Sequence, residues 1–498
     1  MDLFGNLIFG FEVALTWQNL AYCLIGVTVG TLIGVLPGIG PLGTIAILLP
    51  ITYGVPPEGA LIMLAGIYYG AQYGGSTTAI LVNLPGETSA VITCIDGYQM
   101  ARQGRAGPAL AIAAIGSFFA GTVGTLLIAL FGPPLADVAL RFGSPEYFSL
   151  MLMGLVAAAV LAQGDIVKSL AMVAVGLLFG SVGSDVNTGI QRFSFGLPEL
   201  SDGIGFIVLA VGVFAIGEII SNLGGSEARS VFTAKVSNLF PSKDDLKRSI
   251  GPILRGTALG SFFGVLPGTG PAIASFGAYM LEKRLAKDPD RFGKGAIEGV
   301  AAPEAANNAD AQCKFIPMLT LGLPASGVMA LMLGALTIQG IQPGPEVMTA
   351  RPELFWGLIA SMWIGNLMLV VLNLPMIGLW VKLLKVPYRL LFPAIMAFSA
   401  IGIYSVNGSS FEIYLTALFG IFGFICMRLG FPLAPMLLGY VLGPMMEENL
   451  RRSMLQAGGD PTVFLTRPLS LAFIVATVLI LLVMVVPAVR NRRDAITD

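Results

Sequence analysis

Apolar residues run in long blocks along this chain. Eight blocks approach the ~20 residues that carry a helix across a hydrocarbon core: 109–131, 147–163, 166–182, 204–221, 356–380, 389–406, 411–428 and 468–489. Five further runs, 20–52, 60–95, 256–282, 299–340 and 431–446, are equally apolar but interrupted by Gly and Pro. A break facing lipid leaves backbone groups without partners, at several kcal/mol each. Broken membrane helices are therefore expected to face protein or a watery cavity. The pattern predicts an all-α polytopic membrane protein. Residues 1–17 read as a short amphipathic segment at the interface.

Composition agrees. The chain has 498 residues, 55% apolar and 11% charged, and its mean hydropathy is +0.82. Soluble domains carry about 25% charge. Lys plus Arg number 28 against 29 Asp plus Glu, so no basic excess suggests a nucleic-acid partner. The absence of His excludes a Ser-His-Asp triad, His-ligated metal and a histidine proton relay. Cys23, Cys94, Cys313 and Cys426 are widely spaced in apolar surroundings and read as buried thiols.

Basic residues mark the cytoplasmic side. Arg102 and Arg105 suggest one inner loop. The polar stretch 222–255, with Arg229, Lys235, Lys243, Lys247, Arg248 and Arg255, reads as a cytoplasmic linker between two halves. Lys283 to Lys294 follow on the same side. Arg451 and Arg452 conflict with the terminal Arg490, Arg492 and Arg493 unless 431–446 is re-entrant or one group lies outside. The expected divisions are a first membrane repeat 1–221, the linker 222–255, a second repeat 256–446 and a C-terminal segment 447–498.

The two halves repeat. Residues 26–41 (GVTVGTLIGVLPGIGP) match 256–271 (GTALGSFFGVLPGTGP) at nine of sixteen positions, including glycines spaced by four. Asn83-Leu84-Pro85-Gly86-Glu87 corresponds more weakly to Gly322-Leu323-Pro324-Ala325-Ser326. Loop 50–59 has no Lys or Arg, whereas its counterpart 283–294 is basic, so the repeats are expected to have inverted topology with re-entrant hairpins. Secondary transporters share this architecture, with sites where interrupted helices meet at mid-membrane.

Candidate chemistry lies in the interruptions. In Pro37-Gly38-Ile39-Gly40-Pro41 and Pro267-Gly268-Thr269-Gly270-Pro271, Pro lacks an N–H and Gly tolerates positive φ, so one helix ends and another begins. Free carbonyls there suit a cation such as Na⁺, and free N–H groups suit a carboxylate; a kink without ligand is the plain alternative. Gly38 to Gly43 formally spells GxGxxG, but it lacks the strand–turn–helix setting of a dinucleotide site. The stretch from Tyr68 to Thr78 reads as a polar, Gly-rich interruption whose hydroxyls could bind carboxylates. In 303–314, Asp310 and Lys314 share a helix face; they either neutralise each other or bind cation and anion separately. Glu87, Asp96, Glu298 and Glu304 are candidate proton carriers.

The expected substrate contacts are Ser76, Thr77, Thr78, Asn83, Pro85, Gly86, Asn308, Lys314, Pro324 and Ser326. The expected ion contacts are Pro37, Gly38, Gly40, Pro267, Gly268, Thr269, Gly270, Asn307 and Asp310, with Na⁺ at the tips and no transition metal. No cofactor is expected beyond a coupling Na⁺ or H⁺, and no P-loop is present for ATP. An intramembrane enzyme using carboxylates and a passive anion channel are the competing readings.

GTLIGVLPGIGP, YYGAQYGGSTTAILVNLPGE, EGVAAPEAANNADAQCKFIPMLTLGLP and GFPLAPMLLGYVLGPMMEENLRRS together resemble the large membrane subunit of the tripartite tricarboxylate transporters. The resemblance implies a multi-pass protein of the bacterial inner membrane. It implies import of citrate-like carboxylates on a cation gradient, most closely Na⁺. The implied partners are a small membrane subunit and a periplasmic solute-binding protein.

Overall fold

The computed structural model describes residues 3–36, 40–162, 165–185, 188–223, 239–383 and 388–485. Among them the chain is helical apart from one short antiparallel ladder, Gly183–Ser184 (β1) on Gln191–Arg192 (β2), pairing Gly183 with Arg192. The first half comprises α1 (Leu3–Ala14), α2 (Trp17–Val35), α3 (Pro41–Leu48), α4 (Pro57–Val82), α5 (Val91–Arg102), α6 (Ala106–Ala139), α7 (Ser144–Leu161) and α8 (Ile166–Gly180). Then come α9 (Phe206–Ala210), a π-helical turn Val211–Ile216 and α10 (Gly217–Leu223). The second half runs α11 (Lys243–Val265), α12 (Pro271–Leu285), α13 (Glu298–Cys313), α14 (Phe315–Leu321), α15 (Gly327–Ile338) and α16 (Glu346–Ala350). It continues with α17 (Pro352–Asn373), α18 (Ile377–Leu383), α19 (Tyr388–Asn407), α20 (Ser410–Arg428), α21 (Leu433–Gln456), α22 (Val463–Thr466) and α23 (Pro468–Val485). Five described helices, α2, α6, α7, α17 and α20, are long and apolar enough to cross a membrane.

The repeated glycines are where two helices touch backbone to backbone. Gly26, Gly30 and Gly34 of α2 lie on the carbonyls of Met63, Ile67 and Ala71 in α4. Gly256, Gly260 and Gly264 of α11 lie on those of Ala302, Ala306 and Asp310 in α13. A Cβ at any of the six would collide with main chain, which is why the spacing holds glycine. In both sets the numbers rise together, so α2 runs parallel to α4 and α11 parallel to α13. The chain between each pair must double back. A turn of α3 and a 3-10 segment, Leu49–Gly54, does so in one half and α12 in the other.

A second correspondence is reciprocal. Gln103 and Gln339 cap the ends of the twelve-residue helices α5 and α15. Gln103 Nε2 donates to the Lys294 carbonyl at 2.7 Å, and Gln339 Nε2 donates to that of Thr52 at 2.6 Å. Each contact thus ties a loop of one half to a helix end of the other. Similarly, Gly176 and Gly439 join α8 to α21, while Gly212 and Gly423 join the π-turn segment to α20.

Four local expectations change. The stretch Tyr68–Thr78 is not interrupted: α4 is continuous from Pro57 to Val82. Its Gly66, Gly70 and Gly74 interlock with α2, so tight packing offsets their low helix propensity. Helix α6 runs 34 residues through Pro133 and Pro134, well past the expected 109–131. The linker segment is helical from Lys243 onward, as the start of α11. Finally, from Leu433 the run 431–446 belongs to one helix that accommodates Pro444 and continues past Arg452.

Candidate functional site

Residues of both Pro-Gly-x-Gly-Pro repeats line one cavity of about 590 Å³. The first half contributes Gly40–Leu42 from its tip and Pro85–Thr88 from the loop after α4. The second contributes Gly268–Ile273 and Ala325–Val328. The loops begin alike: Asn83 (φ +55) and Gly322 (φ +68) each end a helix in the left-handed conformation, where glycine and asparagine are best tolerated.

At the second tip Gly268 has φ +82, and its N–H donates to the Ala325 carbonyl at 3.0 Å. A Cβ there would meet Ala158 Cα at 2.5 Å and the Ala157 carbonyl at 2.7 Å. The Thr269 hydroxyl lies 2.8 Å from the Leu266 carbonyl, closing the turn. At the first tip the Gly40 N–H donates to Glu218 Oε1 of α10 at 3.2 Å. Ser326 caps α15 by accepting from Met329 N–H at 3.3 Å.

Of the expected site residues, Gly40, Pro85, Gly86, Gly268, Thr269, Gly270 and Ser326 line the cavity. Pro37 and Gly38 lie outside the described residues. Pro267 and Pro324 flank the lining; Asn83 is exposed. Ser76, Thr77 and Thr78 are buried within α4, where each hydroxyl bonds to its own helix. Asn307 donates to Glu87 Oε1 at 3.2 Å, so it reaches the cavity through that carboxylate. Asn308 donates to Ser117 Oγ at 2.7 Å. Asp310 and Lys314 form an ion pair with both side chains fully buried, and neither lines the cavity.

Two candidate proton carriers have structural partners instead. Asp96 accepts the Tyr279 hydroxyl at 2.9 Å and the N–H groups of Gly293, Gly295 and Ala296 at 2.8–2.9 Å. Glu298 is ion-paired with Arg248 and Arg291.

The lining also contains residues the sequence did not single out: Glu218, the end of α7 from Ala158 to Ala162, and the start of α21 at Pro432–Pro435. The proline-bounded PLAP of α21 was the one available signal. Among the described residues, Glu87 and Glu218 are the charged residues of the lining, and no Lys or Arg is among them. Among the described residues no group of three or more His, Cys, Asp or Glu could hold a metal.

Residues 20–438 match the model of the tripartite tricarboxylate transporter TctA family. The chain belongs to that family. It is therefore a transporter subunit and not an enzyme. An uncharacterised 52.8 kDa protein in the TAR-I ttuC' 3'region of Agrobacterium vitis is 58% identical over 496 residues, covering 100% of this chain and 99% of the relative. An uncharacterised protein in the TAR-II ttuC' 3'region of the same organism is 55% identical over 237 residues, covering 48% of this chain and 98% of that relative. No solved structure matches the chain. Membership of a tripartite family implies a small membrane subunit and a periplasmic binding protein as partners.

Proposed function

We propose that this subunit imports citrate-like carboxylates across the bacterial inner membrane on a cation gradient. A periplasmic solute-binding protein would deliver the cargo, and the small membrane subunit would complete the transporter. The observation that carries this is the convergence of both repeated tips and both following loops on one cavity. The Ser326 hydroxyl accepts from Met329 N–H and keeps its own hydrogen to donate to a carboxylate oxygen. Glu87 and Glu218 favour a coupled mechanism. Like charges repel at close range, so a polyanion enters a cavity with two carboxylates and no base only if cations or protons enter with it.

The parallel helix pairs and reciprocal glutamine contacts support inverted repeats with re-entrant hairpins. Alternating access would then move the tips relative to the helices around α7, α10 and α21. Na⁺ contacts at the tip carbonyls belong to this proposal, together with the expected ion and substrate contacts that line the cavity.

A binding test needs no gradient. Ser326→Cys places a thiol in the lining, while Cys23, Cys313 and Cys426 are buried. Citrate should slow modification of the introduced thiol by a maleimide at least severalfold, measured against the unsubstituted chain. Unchanged labelling at saturating citrate, tricarballylate and dicarboxylates would refute a carboxylate site here.

A further inference from the structure

Glu304 is 1% exposed, lies on α13 and is not part of the cavity lining. Its Oε1 meets the Thr93 hydroxyl of α5, and its Oε2 lies 2.6 Å from Ser76 Oγ of α4. No described Lys or Arg pairs with it. Ser76 has a second acceptor, the Gln72 carbonyl, at 3.0 Å.

A serine hydroxyl carries one hydrogen. With Glu304 ionised, that hydrogen cannot serve both the carboxylate and the Gln72 carbonyl. With Glu304 protonated at Oε2, these contacts are satisfied in order, and the Ser117 hydroxyl is a further hydrogen-bond neighbour of the carboxyl. Thr93 donates to Oε1, Glu304 donates to Ser76, and Ser76 donates to Gln72. The protonated form also avoids a buried carboxylate without a cation, the state that desolvation penalises most heavily.

A void of about 10 Å³ adjoins the carboxyl and is lined by Tyr73, Ser117 and Asn373 among others. The Tyr73 hydroxyl and Asn373 Oδ1 have no partner among the described residues. Such a void is about the size of one water, and these groups supply polar partners for it. The titratable groups facing Glu304 are Tyr73 from α4, Cys94 from α5 and Glu87 from the loop after α4. Helices α6 and α17 present Ser117 and Asn373, and α12 presents Ser275, bonded to the Pro303 carbonyl at 3.3 Å. α11 meets α13 through its glycines. Nearby Asp96 and Asp310 are held by their own donors.

We infer that Glu304 is a proton-binding group of the transport cycle, protonated in the arrangement seen here and released when α13 shifts against α4 and α5. This rests on the transport reading above and names H⁺ as a coupling ion, seated away from the tips.

Infrared spectroscopy of the purified protein near neutral pH tests it directly. The carbonyl absorption of a protonated carboxyl should be present in the wild type, lost in Glu304→Gln and displaced in Ser76→Ala. Should Glu304→Gln not fold, the Ser76→Ala displacement is the readout. An absorption unchanged in whichever variants fold would overturn the inference, as would its abolition by Na⁺ in the wild type. In proteoliposomes with the small subunit, Glu304→Gln should lose citrate accumulation driven by a pH gradient yet keep citrate exchange. Undiminished accumulation would also overturn it. If the wild type moves no carboxylate, the transport reading fails while the infrared result still decides Glu304.

Discussion

Asp310 and Lys314 illustrate what a buried charge does when it does not line a site. Each is fully enclosed and each is the other's ionic partner. Breaking such a pair from one side costs about 3–5 kcal/mol, whereas replacing both with apolar residues is often neutral. Lys314→Met alone should therefore sharply lower the thermal unfolding temperature in detergent, and Asp310→Leu added to it should recover most of the loss. A double variant no more stable than the single one would contradict a pairing role. Asp245, at the start of α11, is also buried but is met by Ser242 and by a half-exposed Arg105. Burial would raise its pKa, but the Ser242 hydroxyl and N–H and the Arg105 guanidinium outweigh this and lower it. A depressed carboxyl stabilises above its unfolded pKa of about 3.9, and that contribution disappears as pH falls through the folded value. Arg105→Ala should flatten the loss of stability on acidification below about pH 4. An unchanged acid profile would exclude this contact as a source.

At the scale of the helix, the glycines separate into two kinds. Gly30 and Gly260 sit on facing backbone, so Gly30→Leu or Gly260→Leu should prevent a folded, monodisperse protein in size-exclusion chromatography. A Cβ at Gly270 would meet nothing within 4 Å, so Gly270→Ala should elute as the wild type does. Gly268→Val should lose uptake, since a Cβ on its positive-φ backbone would strike the Ala157–Ala158 main chain and displace the tip. Normal uptake by Gly268→Val would remove the tip from the mechanism. These ladders and tips were legible in sequence because a spacing of four and a constant offset encode helix contact directly. The continuity of α4 was not legible, since its glycines read as breaks until α2 is seen packed into them. Glu218 and Ala158–Ala162 were equally hidden. Each is an isolated position in an ordinary apolar helix, and only tertiary packing carries it to the cavity.

Across the whole molecule, two sets of ion pairs join distant segments of the chain. Arg105 with Asp245 and Arg248 with Glu298 join the loops expected inside. Arg451 with Asp185, and Arg192 with Glu447, join the α8–α9 connection to the end of α21. The proposed inverted repeats would put this second set outside, and Arg451 and Arg452 with it. Lys247→Cys and Leu455→Cys should then react with a membrane-impermeant maleimide from opposite sides in spheroplasts and inverted vesicles; labelling from one side would refute the inversion. The most direct measurement is labelled citrate uptake into proteoliposomes holding this chain and its small subunit, with purified binding protein outside. A cation-coupled carboxylate importer predicts accumulation above equilibrium that needs an inward Na⁺ or H⁺ gradient and the binding protein, and that Gly268→Val abolishes. Uptake that merely equilibrates, independent of any gradient and intact in Gly268→Val, would contradict it.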